Sequence, residues 1–538
     1  MVLIFLSLFL QLTETIDVKV TNVDVVVTDK SGKPVRNLTR DDFTILEDGK
    51  LQPVTNFYEV QPEAPAGAAP APADANKNVE PPRPRRIVIF IDNYSLHPFR
   101  RHEVFAAIDR SFNELFRPGD QAMVAAWNRG LHIVIPFTGD REKLRAAMRR
   151  YEKDAGGGAP IEFEREHVMA NIAQVLQAEF DARGGNNERE AIAHAESLAR
   201  SYAQSVSMNE KALVKAMSTT LTTLAGLEGK KVMLVAGQQL PSRPGLEVFQ
   251  YVDQLFSGRG VSNAQRGAFT WDITADLEKL ARQANANDVT MYMIDGGDAL
   301  RSISQTAESA SVLNRSMEFT DLANTAQSLN TIARITGGMA LVRTNNFDVA
   351  LSTMANDLAA YYSLGYRPSS DTAGDHRIEV KVKNSDYRVR ARTTYVAKST
   401  KEQAEDRVIA NAFHGLVPSD FAVKLDAERP AKHSETKWKV PIRITFPSDI
   451  TLLPNGNDLE GSFTVILLVV DDDGTMSTVT RRQQPVKLPK AALPAMRKNP
   501  ISFTAEMLVS PGAHYISVGI IDDVANTAGF ARARVNAG

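Results

Sequence analysis

Three short apolar runs constrain this chain most: Arg86-Ile-Val-Ile-Phe-Ile-Asp92, Lys231-Val-Met-Leu-Val-Ala-Gly237 and Val289-Thr-Met-Tyr-Met-Ile-Asp295. Each is almost continuous Val, Ile, Leu and Met, without polar alternation. Such runs suit strands covered on both faces, as in a parallel sheet. Helical patterns separate them, which supplies the long crossovers that parallel pairing needs. The runs therefore deliver Asp92, Gly237 and Asp295 to one carboxyl edge. Loops at that edge are where open α/β sheets bind ligands.

The first run leads into a turn reading Asp92-Asn93-Tyr94-Ser95. A carboxylate followed closely by a hydroxyl is hard-oxygen chemistry, suited to Mg²⁺ or Ca²⁺ rather than to a nucleophile beside a base. Asp92 and Ser95 are the candidate metal ligands. They make a ligand-poor site, because hard divalent cations take about six or more oxygens. The alternative role for Asp92 is to cap a helix or accept from backbone amides in the crevice. Asn93, Tyr94, His97, Gln238, Asp295 and Asp298 lie in the turns along this edge and form the expected protein-contact surface.

No other chemistry is written into the chain. There is no cysteine, which removes disulfides, thiolate metal sites and cysteine nucleophiles. The nine histidines are dispersed, without the close spacing of zinc ligands. Gly156-Gly157-Gly158 lacks the Lys-Ser/Thr of a phosphate loop. Asp471-Asp472-Asp473-Gly474 lacks the rest of a calcium loop and reads as a hairpin turn. No Gly-x-Ser-x-Gly elbow occurs. Lys plus Arg (62) nearly balances Asp plus Glu (64), so neither nucleic acid nor an anionic membrane surface is indicated.

A chain of 538 residues is too long for one core. Met1–Leu10 is apolar but short of the about 20 residues a membrane span needs. Residues 1–15 therefore read as a truncated signal peptide, and the protein is expected to be exported, with no stable membrane span. Residues 16–60 alternate with period two and carry an Asp48-Gly49 hairpin signal, a small β unit. Residues 61–85 are a Pro/Ala-rich linker. The α/β region spans 86–368, with Tyr361–Tyr366 as its last sheet strand. Inside it, about 160–227 reads as a charged, Ala-rich helical insertion, with a break expected near Ser205–Ser207. Residues 369–399 read as a hairpin that completes the N-terminal β unit or extends the α/β domain. Residues 400–538 show β-only patterning, expected to form a sandwich of immunoglobulin or fibronectin type III kind.

The order of elements in 86–368 resembles a von Willebrand factor type A (vWA) domain. That resemblance implies a doubly wound, mostly parallel sheet with helices on both faces. Val23-Asp-Val-Val-Val-Thr-Asp29, Phe43-Thr-Ile-Leu-Glu-Asp-Gly49, Ile332-Ala-Arg-Ile-Thr-Gly-Gly338 and Tyr361-Tyr-Ser-Leu-Gly-Tyr-Arg-Pro368 narrow the resemblance to the VWFA-related family described from acidobacteria. It implies a metal-ion-dependent adhesion site: Asp-x-Ser-x-Ser after the first strand, a Thr in a Gly-rich loop, and an Asp after the fourth strand. Asp92 matches. Tyr94 and Leu96 stand where the serines would be, Gly156–Pro160 carries no Thr, and Gly237-Gln238 replaces the second Asp. The implied function is a non-enzymatic adhesion or scaffold protein with a degenerate metal site and a protein partner. Two other classes are an accessory subunit or chaperone of a partner enzyme, and a hydrolase using Asp92 with Asp295 or Asp298.

Overall fold

The computed structural model describes residues 20–60, 84–154, 159–181, 188–238, 240–256, 264–296, 312–342, 346–368 and 374–538. The apolar run Met1–Leu10, nearly all of the linker 61–85, Gly156–Gly158 and Asp298 lie outside the described residues.

The central sheet has six strands in the order Ala340–Leu341, Val289–Asp295, Lys230–Gly237, Arg85–Asp92, Gln121–Trp127 and Leu131–Thr138. All neighbours are parallel except the last pair. Arg85–Asp92 lies in the middle, and Ile87, Val88, Ile89, Phe90 and Ile91 are each 1% exposed or less. Alternate residues feed two different cores. Val88 and Phe90 meet Leu213, Met217, Leu221 and Leu224 of the helix Glu188–Leu224 on one face. Ile87, Ile89 and Ile91 meet Val104, Ile108 and Phe112, with Leu351 and Leu358, on the other. Fully burying one such side chain contributes about 1.5–3 kcal/mol, so two covered faces explain why the runs carry no polar alternation. The edge strand Ala340–Leu341 has only two residues, too few to show a pattern in the sequence.

Tyr361–Tyr366 does not close this sheet. It lies antiparallel between Thr21–Thr28 and Val54–Val60, in a four-stranded sheet whose other edge is Arg388–Ala391. Its large buried side chains, Tyr362, Leu364 and Tyr366, fall at every second position and share one core, as in a strand packed on one face. A second four-stranded sheet, Thr394–Ala397, Gly374–Val382, Phe43–Glu47 and Lys50–Gln52, packs against it over a core of Val23, Val25, Phe43, Ile45, Tyr362 and Leu364. The expected hairpin of 369–399 is thus split. Gly374–Val382 pairs with Phe43–Glu47, and Arg388–Ala391 pairs with Thr21–Thr28. Asp48 and Gly49 both take positive φ, 50° and 79°, as the tight turn between Phe43–Glu47 and Lys50–Gln52 requires.

The helix Glu188–Leu224 runs without the break expected near Ser205–Ser207, a length of about 55 Å at 1.5 Å per residue. It contains neither Gly nor Pro, and Val206 and Ser207 are buried against its neighbours. Residues 213–224 cover the sheet. Residues 191–206 pack instead with Ile172 of the helix Ala159–Asp181 and with Val248, Phe249, Val252 and Phe256 of the region 246–256. They form a separate helical cap beyond the carboxyl edge.

Residues 400–538 are not β-only. Thr400–His414 is a helix, opened by a capping box between Ser399 and Glu402 and ended by Gly415 at φ 64°. The strands that follow form two sheets around one apolar core. Val440, Ile442 and Ile444 from one sheet meet Val465, Val469, Ile516 and Val518 from the other. No helix among the described residues is long and apolar enough to cross a membrane.

Candidate functional site

Asp92 ends the central strand and is 2% exposed. Its carboxylate is consumed by its own turn. Oδ1 accepts from the backbone N–H of Tyr94 and of Ser95, both at 3.2 Å. Oδ2 accepts the Ser95 hydroxyl at 2.5 Å. Ser95 Oγ in turn accepts from the backbone N–H of Gln238 at 2.9 Å, which ties the turn to the end of the neighbouring strand. Burial pushes the Asp92 carboxyl up to about 6, while the Ser95 hydroxyl and the amides of Ser95 and Tyr94 pull the other way. A side chain at position 237 would crowd this turn. A Cβ there would sit 3.2 Å from Asp92 Cβ and 3.4 Å from its Oδ2, so Gly237 permits the close approach.

Tyr94 turns away from the Asp92 carboxylate toward the helical cap. Its ring is 6% exposed, and its OH accepts from Arg129 Nη2 at 3.3 Å and Asn209 Nδ2 at 3.5 Å. Arg129 also stacks over the ring, 5.1 Å from its centroid. Asn209 belongs to the long helix, so Tyr94 fastens the cap to the edge. Next to Asn209, Glu210 is 3% exposed, and its Oε2 has no hydrogen-bond partner among the described residues. Burial drives its carboxyl well above the usual range, with Asp92 and Asp321 adding to the effect.

The expected contact surface is therefore mostly covered. Of its described residues, Asn93, Tyr94 and Asp295 are buried, at 0%, 6% and 3% exposure, and His97 and Gln238 are part-exposed. Asn93 Oδ1 accepts from Arg101 Nη1 at 3.1 Å, and the His97 amide donates to Gln238 Oε1 at 2.9 Å. Strand Lys230–Gly237 lies between Asp92 and Asp295. The backbone around Asp295 is tied in as well. Gly296 N–H donates to Gly237 O at 2.6 Å, and Arg100 Nε donates to Gly296 O at 2.8 Å.

These residues do not fit a hard-cation site. A divalent cation would need several oxygens with free lone pairs, and the Asp92 turn offers one carboxylate already engaged three times. No group of three or more His, Asp or Glu among the described residues could hold a metal ion. Sequence reasoning placed Asp92, Ser95 and Gln238 along one edge, where hydrogen bonds link them, but it missed Asn209, Glu210 and Arg129. One signal was present. Tyr202, Val206, Glu210, Leu213 and Met217 fall at i+4, i+4, i+3, i+4 spacing and are all buried, so Glu210 occupies the apolar stripe of its helix.

No protein-family model matches the chain, and no curated protein is similar to it. Solved structures similar to it include a von Willebrand factor type A protein from Catenulispora acidiphila, at 11% identity and TM-score 0.20, over 85% of this chain and 66% of that one. Proximal thread matrix protein 1 from the mussel byssus, whose structure has a zinc-occupied MIDAS motif, is similar at 12% identity and TM-score 0.23, over 52% of this chain and 48% of that one. A third is the ApaA protein of Bordetella pertussis, at 7% identity and TM-score 0.16, over 22% of this chain and 96% of that one. This chain thus spans about half of the mussel protein and two thirds of the Catenulispora one. At such identities and scores these likenesses carry no functional argument.

Proposed function

We propose that this chain is a non-enzymatic protein-binding module, of adhesion or scaffold type, that meets its partner at the carboxyl edge without a bridging metal. The observation that carries this reading is the closed Asp92 turn. The carboxylate is buried and already accepts three hydrogen bonds from the turn's own amides and hydroxyl, which supports a reading without a bridging cation or a general base here. What reaches solvent at this edge belongs to its rim. His97 and Gln238 are part-exposed, and Phe163 and Met208 stand out from the cap helices at 74% and 66% exposure. Exposed aromatic and methionine side chains are what binding surfaces carry in excess.

The test is calorimetric titration of Mg²⁺, Ca²⁺ and Mn²⁺ into the wild type and Asp92→Asn. No binding in the micromolar range is expected for either protein. Micromolar binding that disappears in Asp92→Asn would overturn the metal-free reading. Turnover on a panel of ester, peptide and phosphate substrates, lost in the same variant, would favour a hydrolase instead.

A further inference from the structure

The cap meets the α/β edge across a seam of carboxyl groups. Glu247, in the first turn of the helix Leu246–Leu255, is 4% exposed. It accepts a hydrogen bond from the Tyr202 hydroxyl of the long helix, yet its Oε2 is buried with no partner among the described residues. Beside it, Asp321 of the helix Val312–Thr336 pairs with Arg165 of the helix Ala159–Asp181 at 3.1 Å. Glu164 adds its charge to the field at the same Tyr202 from the Arg165 helix, and Asp321 adds, after burial and Asp92, to the upward push on the Glu210 carboxyl of the long helix. The short helix Gln265–Ala268 adds only the exposed Arg266, and Asp253 is occupied by the amides of Ala264 and Gln265. Among the described residues, Arg165 is thus the cation of a seam where the helix of Glu247 packs against the helices that carry Asp321, Glu210 and Arg165.

Such a seam closes only with protons on some of its acids. An ionised Glu247 would place a second negative charge beside Asp321, with one oxygen lacking any donor. Desolvating an unpaired charge is costly, and the readiest relief is for water to enter between the helices. Resting on the reading of the carboxyl edge as the partner-binding surface, we propose that this seam is a proton-operated latch. With Glu247 protonated the cap packs down over the Asp92 turn, and when Glu247 ionises the cap loosens and the edge becomes accessible. Burial first, and then Asp321, push the Glu247 carboxyl up to about 7, against the opposing pull of Arg165, its own amide and Tyr202. The window of operation is therefore near neutral pH.

Hydrogen exchange of the full chain between pH 5.5 and 8.5, corrected for intrinsic exchange rates, tests this. Amides of residues 246–252 and 199–206 should lose protection above pH 7, by up to about tenfold per pH unit if one proton is released on opening. The isosteric Glu247→Gln should hold its protection constant across the range. Arg165→Gln removes the cation that favours the ionised form, so its loss of protection should begin at higher pH. A wild-type profile with no pH dependence would overturn the latch, as would an identical profile in Glu247→Gln. So would an Arg165→Gln variant that loses protection equally at every pH, because that is the mark of a merely structural contact. No partner enters the measurement, so its outcome is independent of whether the edge binds protein.

Discussion

Burial pushes the Asp92 carboxyl up, and the donors of its own turn pull it back. The balance has a sign that can be measured. With its folded value raised to about 6, above the usual carboxylate value of about 4, Asp92 binds its proton more tightly folded than unfolded. Its contribution is fully present below pH about 4 and is lost as pH rises through about 6, a change of roughly 2–3 kcal/mol. Asp92→Asn keeps an oxygen for the amides of Tyr94 and Ser95 but cannot ionise. Its stability should fall less steeply between pH 4 and 7 than that of the wild type, the remaining slope coming from other raised carboxyls such as Glu247 and Glu210, as read from urea unfolding at steps across that range. Equal slopes in the two proteins would mean that Asp92 stays ionised throughout. At this scale the sequence was half legible. The turn Asp92–Ser95 announced a carboxylate beside a hydroxyl, because both sit within four residues. The partners Asn209, Glu210 and Arg129 come from other elements, and only tertiary packing brings them near.

Elements were legible where their signals are local. The helix Thr400–His414 carried its start in Ser399-Thr-Lys-Glu402 and its stop in Gly415, and it is missed only if β patterning is read straight through it. Ser399 Oγ accepts from the Glu402 amide at 3.3 Å, and Glu402 Oε2 accepts from the Ser399 amide and hydroxyl at 2.7 and 2.8 Å. Ser399→Ala should therefore cost about 0.5–2 kcal/mol. The measurement is a lower urea midpoint with an unchanged slope. No shift would show that tertiary contacts alone hold the first turn. Strand partnership was less legible than strand existence. Tyr361–Tyr366 reads as a strand in any context, and which sheet it joins is decided by partners more than 300 residues earlier in the chain, Thr21–Thr28 and Val54–Val60. Sequence adjacency favoured the α/β sheet, whereas one-sided burial favours the sandwich.

The whole molecule is an insertion with a wedge behind it. The chain leaves the N-terminal sandwich at Val60 and re-enters it at Tyr361, and those two residues face each other as antiparallel partners. The α/β unit therefore springs from one edge of a β-sandwich that both flanking segments build. Arg392 secures the junction through Asp288 and the carbonyl oxygen of Asn22, and Lys230 pairs with Asp24 at 3.0 Å. The helix Thr400–His414 then sits between two cores. Ala404, Val408 and Ala412 pack on Ile466, Leu468, Ile521 and Phe530 of the C-terminal sheets, while Ala410 joins the core of the α/β sheet. Its other side runs so close to the turn after the long helix that a Cβ on Gly226 would lie 2.4 Å from Arg407 Cα and 2.4 Å from Asp406 O. That approach is backbone against backbone, so no side chain can swing aside to relieve it. A helix shared by two cores should make them unfold together. Gly226→Val would push the helix off the α/β face while leaving its contacts with the C-terminal sheets in place. The wild type should melt in one calorimetric transition covering both units, and Gly226→Val should melt in two, the α/β unit first because it loses the contact with Ala410. The lower transition should fall by several degrees, as overpacking costs about 1–3 kcal/mol. A single transition in the variant, merely lowered, would mean that the two cores are coupled through the Arg392 junction or the sandwich rather than through this helix.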